Sequence, residues 1–189
     1  EEIEYSFQML LRLVPQDGKI TANGDDPAVK RILRHSFSPV TLFGKSQHCD
    51  LILGEQNIET GGTRFNVFQK NHSEKTFFLK LHGEHNVFNA LGVLALARHN
   101  GIDDEITSNA FQTFRSVKRR MELRGQKAGV MIYDDFAHHP TAITQTLKTM
   151  KVLYPGKRLI AVFEPRSNTS VQNLMQNQLE KALGLADVV

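Results

Sequence analysis

Two carboxylates and two imidazoles stand together in the segment 134–140, which reads DDFAHHP. This segment follows the apolar run 130–133 and precedes an amphipathic run, so the pattern predicts a loop between a strand and a helix. Ligands bind beyond the carboxyl ends of strands in open parallel sheets. There, a carboxylate can accept ribose hydroxyls, and His138 or His139 can contact an anionic substrate or relay a proton.

Two plainer interpretations of this loop stay open. Asp134 or Asp135 could simply cap the following helix, and the adjacent histidines could suggest zinc. Neighbouring positions on a turn diverge, and no third ligand at metal-site spacing accompanies the histidine pair. We therefore expect no metal ligands among the candidate residues.

A second polar loop, 163–170 (FEPRSNTS), also follows an apolar strand and precedes a helix. The planar guanidinium of Arg166 could grip a carboxylate, while Ser167 and Asn168 offer hydroxyl and amide hydrogen bonds. The alternative is that Ser167 or Thr169 serves only as a helix cap.

A third candidate is the helix start 83–89 (GEHNVFN). Asn86 and Asn89 are three residues apart, so they share a face and could read the edge of a purine. Asn86 alone would pass as a cap, but Asn89 lies inside the helix, where asparagine has poor propensity.

Two basic segments could be taken for phosphate-binding sites, and we keep only the first as a candidate. One arginine of the run 118–120 could contact a nucleotide phosphate, although most such charge runs are solvated surface. The segment 44–46 (GKS) resembles the tail of a phosphate-binding P-loop. We reject it because Pro39 stands where that motif needs glycine, and 40–43 has the pattern of a strand.

The order of elements predicts an α/β protein. An amphipathic helix ends at Pro15, and Asp26 is placed to cap a second helix that begins at Pro27. Further elements are predicted as strands at 39–43, 50–53, 63–68 and 76–81 and helices at 85–99 and 103–115, the last capped by Asp103. Beyond residue 117 the pattern predicts a parallel sheet with crossover helices, with strands at 130–134, 158–163 and from 187 and helices at 141–153 and 171–183.

Composition excludes several classes of protein. The chain has 189 residues, of which 40% are hydrophobic, and a formal net charge of +3. This excludes disorder, and no apolar run approaches the ~20 residues of a membrane span. The mild charge does not demand nucleic acid, and a lone cysteine without a signal peptide favours the cytoplasm. Because the sequence starts without methionine and ends at a strand-like start, we expect it to be a piece of a longer protein.

Taken in order, four segments resemble the Mur ligase family of bacterial cell-wall synthesis. They are 83–89 (GEHNVFN), 117–122 (VKRRME), 134–140 (DDFAHHP) and 163–166 (FEPR). The resemblance implies an α/β fold in two parts. Residues 1–117 would be the later part of a central ATPase domain with a mixed sheet, and 118–189 the first part of a Rossmann-like C-terminal domain.

The resemblance also implies a reaction and a set of site residues. ATP would phosphorylate a muramyl carboxylate, and the amine of an incoming peptide would displace the phosphate. By position, nucleotide binding would fall to His85, Asn86, Asn89, Arg120 and Asp135, with Arg120 and His138 as the catalytic pair. The incoming peptide would be bound by His138, His139, Arg166, Ser167 and Asn168.

Within the family, the segment 164–169 and Met121 favour a member that joins the tripeptide L-alanyl-γ-D-glutamyl-meso-diaminopimelate to UDP-N-acetylmuramate. An L-alanine-adding ligase and a non-catalytic nucleotide-binding module remain the alternatives. The resemblance implies that the P-loop and the Mg²⁺ ligands precede residue 1, so this segment alone is expected to lack turnover. Neither nucleic acid nor membrane is an expected partner, and the sequence does not indicate an oligomeric state.

Overall fold

The computed structural model describes residues 2–69, 74–165 and 175–189. The chain divides into two compact units, Glu1–Phe114 and Arg115–Val189. In the first unit the elements are α1 (Glu2–Leu13), β1 (Ile20–Asn23), α2 (Pro27–Leu33), β2 (Val40–Gly44), β3 (Leu51–Glu59), β4 (Gly62–Gln69), β5 (Lys75–Leu79), α3 (Glu84–His99) and α4 (Asp104–Thr113). In the second they are β6 (Glu122–Lys127), β7 (Val130–Asp134), α5 (Pro140–Leu153) and α6 (Gln176–Leu183).

The first unit contains a mixed five-stranded sheet in the order β1-β2-β3-β4-β5. β1 pairs in parallel with β2, and β2 in parallel with β3, whereas β3, β4 and β5 form an antiparallel meander. The loops that leave β1 and β2 therefore emerge at the same edge of the sheet. This α/β architecture confirms the fold class expected from the sequence.

Helix α3 supplies the centre of the first unit's core. Val87, Leu91 and Leu94 are completely buried against the sheet residues Phe65 and Phe77. The rings of Phe65 and Phe77 stack with their centroids 5.8 Å apart. Because the apolar residues of α3 recur at helical spacing, burying them orients the helix and turns its polar positions away from the sheet.

The structure confirms the predicted N-cap of α2 but differs from the caps considered for α4 and α5. Asp26 caps α2 as predicted, accepting hydrogen bonds from the backbone N–H groups of Ala28 and Val29. Asp103 occupies the N-cap position of α4, but its side chain makes no capping hydrogen bond. Neither Asp134 nor Asp135 caps α5, because His139 takes that position.

The second unit differs from the predicted parallel sheet. β7 pairs antiparallel with β6, a strand that the sequence did not predict, through a two-residue turn. Both turn residues, Ala128 (φ +50°) and Gly129 (φ +81°), have the positive φ that a type I′ hairpin requires. The predicted strand 158–163 is reduced to one parallel bridge between Ile160 and Val188. The first part of the predicted helix 171–183 lies outside the described residues.

Helices α5 and α6 build a second core on this unit. Ile143 and Leu147 of α5 pack with Ala182 of α6, and all three are buried. The Lys151 ammonium contacts the Asp187 carboxylate at 3.1 Å, and the same carboxylate accepts a hydrogen bond from the backbone N–H of Leu159 at 2.7 Å. No helix in the described ranges is both long and apolar enough to cross a membrane.

An ion-pair network joins α3, α4 and β5 in the first unit. Asp104 accepts two hydrogen bonds from Arg98, each at 2.7 Å, and pairs with Lys75 at 2.8 Å. These partners, Arg98 foremost, lower the pKa of Asp104 from 3.8 to about 2 against an opposing effect of burial. Because the folded pKa is depressed, the stabilisation is complete above about pH 4 and is lost as the pH falls towards 2.

We expect Asp104→Asn to lower the free energy of unfolding at pH 7 by on the order of 2 kcal/mol, because two cations lose their shared carboxylate. The difference between variant and wild type should shrink below pH 4 as the wild-type carboxyl takes up its proton. Urea unfolding at pH 7 and pH 3 measures both values. The control is Asp103→Asn, which removes the neighbouring exposed carboxylate; an equal loss there would contradict a specific role for Asp104.

Candidate functional site

The first unit places the amide pair at the start of α3. Asn86 is half-buried, and its side-chain N–H donates to the carbonyl of His82 at 2.7 Å, which fixes its orientation. Asn89 lies one turn further on and is exposed, and its side chain makes no hydrogen bond to the described residues. His85, the second residue of the helix, is half-buried. The start of α3 therefore presents one anchored amide and one solvent-accessible amide.

The rejected P-loop segment binds an anion of the protein itself. Asp25 accepts hydrogen bonds from the backbone N–H groups of Lys45 at 2.5 Å and Ser46 at 3.2 Å. A Cβ at Gly44 would lie 2.5 Å from the Asp25 carboxylate, so glycine is needed there. Burial alone would raise the pKa of Asp25, but hydrogen bonds from the Ser46 side chain and from the backbone N–H groups of Lys45 and Ser46 lower it overall.

In the second unit, Asp135 connects two segments of backbone. One carboxylate oxygen accepts the N–H of Met121 at 2.8 Å, and the other accepts the N–H of Ala137, also at 2.8 Å. Charge-assisted bonds of this kind contribute about 1.5–3 kcal/mol each. A carboxylate has about four lone-pair sites, so Asp135 retains acceptor capacity for a ligand hydroxyl.

Arg120 lies on a strained turn that these bonds hold. Its neighbours Arg119 (φ +59°) and Met121 (φ +46°) both adopt the left-handed conformation that L-residues avoid. The Arg119 N–H donates to Glu122 at 2.8 Å, and the Arg119 carbonyl accepts from the N–H of Phe136 at 2.8 Å. Together with the bond from Met121 to Asp135, these contacts fasten the turn to the loop that follows β7.

The ring of Phe136 lies near two guanidinium groups. The Arg119 guanidinium lies 5.1 Å from the ring centroid, and that of Arg120 lies 5.7 Å from it. Arg119 also approaches the Asp134 carboxylate at 3.5 Å. The aromatic ring therefore gives Arg120 a defined position while leaving its charge exposed to solvent.

The two histidines of the loop have different environments. His138 is exposed, and its Nδ1 contacts the carbonyl of Phe136 at 3.0 Å. Since a carbonyl only accepts, Nδ1 is the donor and Nε2 of the neutral ring is left as the acceptor facing solvent. His139 accepts the N–H of Thr141 through Nδ1 at 3.3 Å, so it caps α5 with one nitrogen and keeps Nε2 for a ligand.

A cavity of about 590 Å³ lies beside Asp135 in the second unit. Its wall runs from Met121 and Asp135 to Phe163, and Tyr133 and Tyr154 lie on it. The two tyrosine hydroxyls are hydrogen-bonded to each other, and burial together with this bond raises the pKa of Tyr133 to about 12. The loop after β7 and the end of the run 158–163 therefore border one space. The predicted peptide-binding residues Arg166, Ser167 and Asn168 lie outside the described residues.

The structure thus brings Arg120, Asp135, His138 and His139 together in the second unit. Asn86 and Asn89 belong to the first unit, and their convergence with Arg120 and Asp135 on one nucleotide stays a prediction. Sequence reasoning missed Phe136 as the platform for the arginines, although an aromatic residue between acidic and imidazole side chains was a signal for it.

The described residues offer little to a magnesium ion. Within ranges 2–69, 74–165 and 175–189, one group of three His, Cys, Asp or Glu side chains is close enough to share a metal, namely Asp25, His48 and Cys49. Mg²⁺ prefers an octahedral shell of oxygen atoms, so a thiol and an imidazole do not suit it. No residue here is assigned to magnesium.

Two models of known protein domains match the chain. Residues 1–97 match the Mur ligase middle domain, and residues 119–187 match the glutamate ligase domain of Mur ligases. The two matches follow each other in the order that the sequence motifs suggested. The chain belongs to the Mur ligase family.

Among individual relatives, the chain is 36% identical over 189 residues to the UDP-N-acetylmuramate–L-alanyl-γ-D-glutamyl-meso-2,6-diaminoheptandioate ligase of Escherichia coli (strain K12), covering 99% of the chain and 40% of the relative. It is 32% identical over 191 residues to the UDP-N-acetylmuramate–L-alanine ligase of Caldicellulosiruptor bescii, covering 100% of the chain and 41% of the relative. A crystal structure of a murein peptide ligase from Psychrobacter arcticus superposes with a TM-score of 0.71 at 32% identity, covering 98% of this chain and 39% of that one. The chain thus spans about two-fifths of the length of these relatives.

We expect Asp135→Ala to accelerate hydrogen exchange at the Met121 and Ala137 amides by about tenfold or more, because each loses a charged acceptor. Exchange measured residue by residue by NMR reports both amides directly. Asp134→Ala is the matched control, since it removes the adjacent carboxylate but neither backbone bond. Unchanged exchange at Met121 in the Asp135 variant would show that Asp135 does not hold the Met121 amide.

Proposed function

We propose that the chain is part of an ATP-dependent amide ligase that joins the tripeptide L-alanyl-γ-D-glutamyl-meso-diaminopimelate to UDP-N-acetylmuramate. The observation that carries this proposal is the pair of consecutive Mur ligase domain matches, which together span most of the chain. The relatives named for the tripeptide reaction, at 34–36% identity, support its finer part.

The proposed reaction explains why these side chain types are needed. The muramyl carboxylate attacks the γ-phosphorus of ATP, and ADP leaves. The neutral peptide amine then attacks the acyl carbon, phosphate leaves with the electron pair of the broken C–O bond, and the nitrogen releases one proton as the amide forms. Negative charge accumulates on the transferred phosphoryl group, and a positioned cation lowers the barrier by stabilising it. Arg120, exposed and held on its strained turn, is suited to that task.

Each unit, considered by itself, has side chains suited to binding one part of a nucleoside triphosphate. Asn89 offers a solvent-accessible amide for an adenine edge, and Asn86 offers the carbonyl oxygen of an anchored one. Asp135 has spare acceptor capacity for ribose hydroxyls although both of its oxygens hold backbone N–H groups. His85 completes the proposed nucleotide set. We assign Mg²⁺ to the reaction but to none of the described residues.

Peptide binding is proposed for the second unit. His138 presents Nε2 to solvent as an acceptor or a proton carrier, and His139 keeps one nitrogen beyond its capping bond. Arg166, Ser167 and Asn168 would grip the peptide carboxylates, but they lie outside the described residues.

The intact protein tests the substrate assignment directly. With ATP and UDP-N-acetylmuramate present, we expect rapid phosphate release on adding the tripeptide and at least ~100-fold lower kcat/KM with free L-alanine. A site built to bind polar groups rejects a substrate that lacks them by large factors. The similarity to L-alanine ligases makes the reverse preference the second candidate, and a faster reaction with L-alanine would establish it.

For the catalytic assignment, Arg120→Ala in the intact enzyme should lower kcat by about 100-fold or more, because the phosphoryl charge loses its cation. Arg119→Ala is the matched control, since it removes the same charge and the same contact with Phe136. Its kcat should stay within about threefold of wild type. Equal losses in the two variants would show that only the general positive charge matters, and near wild-type turnover of Arg120→Ala would eliminate the assignment.

A further inference from the structure

Asp25, His48 and Cys49 form a second cluster of chemically active side chains in the first unit, here called the Asp–His–Cys cluster. One ligand atom from each residue lies within 4.8 Å of the other two. Asp25 follows β1, while His48 and Cys49 follow β2. Since β1 and β2 are parallel, with Asn23 opposite Phe43, their loops meet at one edge of the sheet.

Each member of the cluster has a contact with the backbone. The Asp25 carboxylate is fixed by the N–H groups of Lys45 and Ser46. His48 Nε2 contacts the Gly24 carbonyl at 3.0 Å, and the Cys49 N–H donates to the Ser46 carbonyl at 3.0 Å. Asp25 and Cys49 are thus firmly positioned, whereas His48 is exposed, has one contact to backbone and is free to move.

Gly24 keeps space open beside the sulfur atom. A Cβ at this position would lie 2.7 Å from Cys49 Sγ and 3.5 Å from His48 Nε2. Any larger residue would thus push against the thiol and narrow the gap between sulfur and imidazole. Its φ is not positive, so this requirement for glycine comes from the space and not from the backbone conformation.

The donor set indicates which cation would bind. Thiolate, imidazole and carboxylate are the three ligand types of zinc, and catalytic or labile zinc sites use three protein ligands plus water. Magnesium and calcium take shells of six to eight oxygen ligands, and a thiol and an imidazole do not suit such a shell. We propose that the Asp–His–Cys cluster binds one Zn²⁺ ion through Asp25, His48 and Cys49, with water as the fourth ligand.

Binding requires a modest closure of the cluster. Zinc–ligand bonds of ~2.0–2.3 Å place tetrahedral ligands roughly 3.3–3.8 Å apart, so atoms that lie within 4.8 Å of one another must approach by at most about 1–1.5 Å. His48 is exposed and can supply this movement, whereas Cys49, 3% exposed, is fixed in the core. The thiol proton passes to water as the Zn–S bond forms, and no bond within the protein is broken.

Cobalt provides a direct probe, because Co²⁺ replaces Zn²⁺ and shows a sulfur-to-cobalt charge-transfer band when a thiolate binds. The full chain is stripped with a chelator, kept reduced and titrated with CoCl₂. We expect one Co²⁺ per chain with this band, and its loss on adding one equivalent of ZnCl₂. Absence of the band with excess Co²⁺ would overturn the proposal.

Variants separate the cluster from adventitious histidine binding. His48→Ala, at an exposed position, should weaken Zn²⁺ binding by at least ~10-fold, the lower limit seen when even an outer-shell partner of a ligand is lost. Cys49→Ser should abolish the charge-transfer band. His35→Ala, which removes an exposed histidine outside the cluster, should change neither. Equal weakening in His35→Ala and His48→Ala would refute the site.

Thermal unfolding gives a readout that needs no thiolate band. Zn²⁺ at about 100 times its Kd should raise the Tm of the wild-type chain by about 5 °C or more, because the ion binds only the folded state. The same addition should leave the Tm of His48→Ala within about 1 °C. A rise of equal size in both proteins would mean that the ion binds elsewhere.

Discussion

The geometry of the second unit depends on one carboxylate. Asp135 binds the backbone N–H of Met121 and that of Ala137, so it fixes the strained turn to the loop that leaves β7. Left-handed residues such as Arg119 and Met121 persist only where surrounding bonds compensate for their strain. The position of Arg120 is therefore a consequence of backbone hydrogen bonds, and the contact that its side chain makes with the described residues is the one with the ring of Phe136.

Backbone N–H groups bind carboxylates in both units. In the first, the amides of Lys45 and Ser46 bind Asp25 in the manner in which phosphate-binding loops bind a phosphate. In the second, Asp135 fills the same role between two loops. Backbone N–H groups that could have bound an external anion therefore bind carboxylates of the protein, while the side chains of Arg120, Asn89, His138 and His139 are exposed to solvent.

Periodic apolar runs made most of the first unit predictable, including α3 and the caps set by Asp26 and Pro27. β3 extends to Glu59, beyond the predicted end at residue 53, because a bulge between Leu53 and Gln56 carries it past polar residues. β6 was missed because its sequence, ELRGQK, has little apolar content and is held by pairing with β7. The residue types of the candidate loops made these loops recognisable in the sequence. The two hydrogen bonds of Asp135 use main-chain donors, which every sequence contains, so the sequence did not reveal them.

Two cations share the ring of Phe136, at 5.1 Å for Arg119 and 5.7 Å for Arg120. At an exposed site each such contact is worth only about 0.5–1 kcal/mol. Were one guanidinium to leave the ring, the other would still keep its own contact with it. Reorganisation of this pair is thus inexpensive, and the arginine that moves gives up little of what held it in the resting state.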